Sequence, residues 1–176
     1  MLWRCMKKCN EVDCPCEIST YEMDMMIGKS TPCPMGENNY FDLIDETNEF
    51  YCLVVGSRGF NNYDLMKEKL DFLLKNKQGK HIVIVSGGAN GADSLAERYA
   101  RENHYELVVF LADWNNGSNG KVNRGAGFIR NEKMHKFIST KKDRGVVAFW
   151  DGVSKGTAHS FDLSKKYNNP LKVIRF

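Results

Sequence analysis

HIVIVSGGANGADSLAERYA, residues 81–100, is the stretch on which the fold turns. It opens with HIVIV (81–85), a β-branched run bounded by glycines, which is the composition of a strand buried on both faces. Glycines 87, 88 and 91 then turn the chain. Beyond them Ala92, Leu95, Ala96, Tyr99 and Ala100 recur at helical spacing. Strand, glycine turn and helix in immediate succession form half of a parallel crossover unit. One residue is out of place. A glycine turn at a helix head usually invites a phosphate, because unpaired N–H groups and the positive end of the helix dipole point there. Here Asp93 already occupies the first turn.

The same alternation extends in both directions. YCLVV (51–55) precedes an amphipathic stretch carrying Leu65, Met66, Leu70, Leu73 and Leu74. ELVVFL (106–111), GVVAFW (145–150) and LKVIRF (171–176) read as further strands, with GFIRNEKMHKFI and AHSFDLSKKY as helices between them. Apolar strands separated by helices predict a five-stranded parallel sheet covered on both faces, an α/β fold. With right-handed crossovers the sheet is doubly wound, in the order 3-2-1-4-5, and a ligand is expected beyond the carboxyl ends of the strands where the winding reverses.

Four loops rich in Gly, Asn, Arg and Asp fall at that rim. In GSRGF (56–60), Gly56 and Ser57 lead to Arg58, whose fork suits a phosphate. SGGANGAD lacks the Lys-Ser/Thr of a phosphate-binding P-loop. Its Gly87, Gly88 and Gly91 allow close approach of a ligand, and Asp93 suits a sugar hydroxyl or simply caps the helix. Asp113 and Trp114 open a polar loop. Arg130 shares a helical stripe with Met134, Phe137 and Ile138, where a cation needs an anion, and Asn131 beside it can read a base edge or cap a loop. In DGVSKGTAHS, Asp151 is a base or a turn residue, Lys155 adds charge, and Gly156 and Thr157 open a helix with no acid in its first turn. His159 reads as a packed or surface residue.

The 42% apolar content supports a real core, and the net charge is +3. Residues 1–50 carry four Lys/Arg against ten Asp/Glu, a balance of −6, which leaves +9 for residues 51–176. A basic domain suits an anionic small ligand better than it specifies nucleic acid. No apolar stretch approaches the roughly 18–20 residues of a membrane span, and no apolar signal region opens the chain, so the expectation is a cytoplasmic protein without a membrane partner.

Residues 1–48 form a separate Cys-rich extension ahead of a domain at 49–176. Cys5, Cys9, Cys14, Cys16 and Cys33 are numerous enough for four of them to hold zinc tetrahedrally, although the spacing is not that of paired CxxC motifs. A thiol-bearing tail is the alternative. Cys52, inside the first strand of the domain, reads as core.

The ordered set GSRGF, SGGANGADSLAERYA, ADW, GAGFIRNEKM and FWDGVSKGTAH resembles the YspA/YpsA-related branch of the SLOG superfamily over about residues 50–176. The resemblance implies a Rossmann-like domain that binds a nucleotide or a nucleotide-derived ligand as a sensor or sink, with no cofactor required. Relatives of this kind often pair, which implies a homodimer or higher oligomer. The LOG phosphoribohydrolases of the superfamily carry an R-x-x-x-M helix, matched by Arg130 and Met134, and a Gly-Thr turn, matched by Gly156 and Thr157. Their catalytic Glu position is Ser160 here, so hydrolysis of an N-glycosidic bond would need Asp93 or Asp151 instead. The glycine turn is similar to that of the DprA group, which binds single-stranded DNA, although no series of stacking aromatics accompanies the basic loops. The resemblance implies that Asp93 marks the sugar end of the ligand, with phosphates held by Thr157, Arg130 and Arg58.

Overall fold

A computed structural model describes residues 48–115 and 122–176 throughout, together with the strand segments 3–5, 31–32 and 40–43. The chain divides into two units, Met1–Glu46 and Thr47–Phe176. In the first, the short strands β1 (Trp3–Cys5), β2 (Thr31–Pro32) and β3 (Tyr40–Leu43) form an antiparallel sheet in the order β1-β3-β2.

The second unit follows the strand–helix alternation. It contains β4 (Glu49–Gly56), α1 (Tyr63–Leu74) with a 3-10 turn at Lys75–Lys77, β5 (His81–Ser86) and α2 (Ala92–Glu102). There follow β6 (Glu106–Val109), α3 (Ala126–Ser139), β7 (Arg144–Trp150), α4 (Lys155–Lys166) and β8 (Leu171–Arg175). Five parallel strands pair in the order β6-β5-β4-β7-β8, the expected 3-2-1-4-5 arrangement. The third strand is shorter than its apolar run, because it ends at Val109. Phe110 nonetheless donates its N–H to Ser86 O at 2.9 Å.

Period-two geometry explains why β4 shows no polar alternation. Its Cys52 and Val54 face one layer, with Met66, Leu70 and Leu74 of α1 and Ala96, Tyr99 and Ala100 of α2. Its Tyr51, Leu53 and Val55 face the other, against Met134 and Ile138 of α3. Successive side chains point to opposite faces, so helices on both faces demand apolar residues at every position. Leu53 has no exposed surface at the centre of the sheet. Truncating it to alanine is expected to cost about 2–5 kcal/mol in urea unfolding.

Cys52 is buried, and that burial pushes its thiol up to about 12. A thiol without thiolate character or access is inert. Native protein treated with iodoacetamide should therefore leave the Cys52 peptide unmodified, while urea-denatured protein labels it. Labelling of the native chain at Cys52 would contradict this packing.

Candidate functional site

A cavity of about 410 Å³ opens at the carboxyl end of the sheet, where the winding reverses about β4. It is walled by the loops after β4, β5, β6 and β7 and by the first turns of α3 and α4. Of the residues expected from sequence, Gly56, Arg58, Asp93, Trp114 and Arg130 line it, as do Asn131, Asp151, Gly156 and Thr157. Ser57, Gly87, Gly88, Gly91, Asp113 and Lys155 are not among its lining residues.

The acid at the head of α2 has a partner within the fold. Arg130 Nη1 donates to Asp93 Oδ2 at 3.1 Å, and the N–H of Ala89 reaches the same oxygen at 3.3 Å. Both side chains are deeply buried, with 11% and 6% of their surfaces exposed for Arg130 and Asp93. Burial pushes the Asp93 carboxyl up to about 6, against the opposing pull of Arg130 and the Ala89 N–H; Glu97, one turn on, adds to the upward shift. Desolvation outweighs pairing, as expected where a carboxylate exchanges water for a single cation. Glu97 is held by Ser86, whose hydroxyl donates to Oε1 at 2.9 Å.

Gly87 serves this pair, and Gly91 serves the loop beside it. A Cβ at Gly87 would lie 1.5 Å from Arg130 Nη1, so the guanidinium lies directly over that residue. A Cβ at Gly91, where φ is 82°, would lie 2.5 Å from the carbonyl oxygens of both Ser57 and Arg58. The close approach read into these glycines is thus taken up by the protein's own side chain and backbone. Gly88 has φ of 67° and donates its N–H to Ser86 Oγ at 3.2 Å.

Across the mouth, Asp151 organises a turn. Its Oδ1 accepts the N–H groups of Val153 and Ser154 at 3.0 and 2.8 Å, which hold the carboxyl below its ordinary value. The Asp151 N–H donates to Ser57 Oγ at 3.2 Å and so ties the loops after β4 and β7 together. Ser154 caps α4 by accepting from the Thr157 N–H at 3.4 Å, and the Thr157 hydroxyl donates to the same oxygen at 3.0 Å. Asn131 is buried and donates to Gly156 O at 3.1 Å and Ser160 Oγ at 3.4 Å, bracing α3 against the head of α4. Ser160 lines the cavity beneath them.

Aromatic rings complete the walls. Trp114 is 40% exposed, and the Arg58 guanidinium lies 5.9 Å from its ring centroid. Phe128 is 44% exposed and packs edge-on against His159 at 4.9 Å, so His159 is a packed residue. Asp113 caps its own loop by accepting the Asn115 N–H at 3.2 Å, and Lys155 is exposed. Arg124 and Phe128 are among the lining residues that escaped the reading from sequence. Arg124 sits in the polar loop, and Phe128 lies off the apolar stripe of α3 beside Arg130. An apolar residue off the core stripe, in the first turn of a helix that begins at the rim, was the available signal.

Cys5 closes β1, while Cys9, Cys14, Cys16 and Cys33 lie outside the described residues. Among the described residues no group of three or more His, Cys, Asp or Glu side chains could hold a metal ion, and no helix is long and apolar enough to cross a membrane.

The chain is similar to DNA processing protein A from Helicobacter pylori, a structure solved for its single-stranded DNA binding mode. Identity is 18%, coverage is 82% of this chain and 78% of that one, and the TM-score is 0.52. DNA processing protein A of Streptococcus pneumoniae is similar at 19% identity over 73% of this chain and 51% of that one, with a TM-score of 0.49. No curated protein matches. The model of the YspA, cpYpsA-related SLOG family matches residues 52–117, from β4 through the glycine turn to the loop after β6. Over that segment, and with the sheet that carries it, the chain is similar to the YspA, cpYpsA-related SLOG family.

Proposed function

We propose that the rim cavity binds a nucleotide or a nucleotide-derived small molecule and that the protein acts as a sensor or sink for it. The observation that carries this reading is the composition of one cavity. Guanidinium groups, a buried carboxylate, two aromatic rings and a helix head line about 410 Å³ at the reversal point of the sheet. Small-molecule sites combine concavity, apolar walls and a few convergent polar groups in this way, and doubly wound sheets place them here. The test is isothermal titration of the full chain with the four ribonucleoside 5′-monophosphates and their triphosphates, with chromatography of the mixture after long incubation. One nucleotide bound per chain and recovered intact supports the reading. Absence of binding across the panel overturns it.

A second reading, hydrolysis of an N-glycosidic bond, is favoured by Asp93. A cavity-lining carboxyl near 6 is suited to donating or taking a proton at neutral pH. Release of free base, abolished by Asp93→Asn, would support the hydrolase. The likeness to the H. pylori protein makes single-stranded DNA a further probe, for which binding should weaken steeply with salt. For residues 1–48 the reading is zinc held by four of Cys5, Cys9, Cys14, Cys16 and Cys33. Metal analysis giving one zinc per chain supports it, and a metal-free chain purified without chelator counts against it.

A further inference from the structure

The charges around the cavity are not equivalent. Arg130 is buried with Nη1 engaged by Asp93, so the floor carries a charge-compensated ion pair, whose Nε keeps an open donor for a neutral acceptor. Arg58 and Arg124 line the mouth, are exposed, and make no ion pair among the described residues. The head of α4 is a weaker rival for an anion. Asp151 places a carboxylate at the turn just before it, and Ser154 already takes the Thr157 N–H. An anion brought to the floor would compete with Asp93 for Arg130 and set two negative charges together in a desolvated place, which is costly. An anion at the mouth meets two open guanidinium forks in water-accessible surroundings. Neutral hydroxyls or a base edge, by contrast, can share the hydrogen-bonding capacity of the Asp93–Arg130 pair without adding charge.

We propose that the ligand enters nucleoside first, with its phosphate held outward by Arg58 and Arg124, so that the site accepts nucleotides whose phosphate carries a further group, dinucleotides above all. This rests on the nucleotide reading of the cavity and adds a direction to it. The second half of such a ligand would leave the pocket past Trp114 and Phe128, whose rings keep 40% and 44% of their surface open.

The experiment is isothermal titration with four matched probes for each base: the nucleoside, its 5′-monophosphate, the methyl ester of that phosphate, and the pyrophosphate-linked dinucleotide. Wild type is compared with the Arg58→Ala/Arg124→Ala double variant, whose changes are both on exposed side chains. The ester and dinucleotide should bind within about threefold of the monophosphate, and the double variant should lose about tenfold or more on all three phosphates while binding the nucleoside unchanged. A monophosphate that binds while its ester is excluded overturns the outward orientation and leaves the nucleotide reading standing. So does a double variant that binds the monophosphate as wild type does. If neither nucleosides nor nucleotides bind, both fall.

Discussion

Replacing Arg130 with methionine is expected to destabilise the domain by about 3–5 kcal/mol at pH 8, because Asp93 is left as a buried carboxylate without its cation. The penalty depends on pH, and its sign follows from Asp93. Its carboxyl stands at about 6 in the folded chain, above its ordinary 3.8, so the folded state binds that proton more tightly than the unfolded chain. This group's contribution therefore falls as pH rises from about 4 to about 6 and is level above. Without Arg130 the folded value climbs further and the window widens upward. Arg130→Met should thus be closer to wild type at pH 5 than at pH 8. Urea unfolding of both proteins at the two pH values measures this, and taking their difference cancels the exposed carboxylates they share. A variant equally destabilised at both would show that lost packing, and not the orphaned charge, sets the cost.

Gly91→Ala carries the second large effect. Its φ of 82° disfavours any side chain by about 1–2 kcal/mol, and the new Cβ would press on two backbone carbonyls that have no rotamer with which to move away. A loss of about 2–5 kcal/mol is expected, together with weakened ligand binding, since Arg58 rides on the displaced loop. Gly156→Ala is the contrasting change. Nothing lies within 4 Å of its Cβ position and it sits inside α4, so it should gain about 0.5–1 kcal/mol. Thermal unfolding of the two variants separates these outcomes. Equal behaviour would mean that the loops after β4 and β5 do not approach as closely as the geometry requires.

The sheet was legible because its central strands β4 and β5 are nearly unbroken apolar runs alternating with helices, the pattern of strands covered on both faces. HIVIV and YCLVV could sit nowhere else in a chain that alternates with helices. The rim was legible in outline, because a doubly wound sheet sends every strand-to-helix loop to one end. The pairing of Asp93 with Arg130 was not. From sequence, Asp93 is an acid at a helix head and Arg130 a cation on an apolar stripe, and each has a separate explanation. Only the crossing of α3 over the glycine turn brings them to 3.1 Å and gives Gly87 its purpose. Arg124 and Phe128 were hidden for a related reason. They stand beside no motif, and their place depends on how α3 enters the rim. The extra two residues of the third strand show the limit of composition, since apolar side chains continue past Val109 after regular pairing has stopped.

A crystal structure of the full chain grown with whichever 5′-monophosphate binds best in titration would show the ligand and its direction in the cavity. One nucleotide should occupy the rim cavity, its nucleoside end over the Asp93–Arg130 pair and its phosphate within hydrogen-bonding distance of Arg58 or Arg124. A nucleotide bound elsewhere on the protein, with this cavity empty, would contradict that placement.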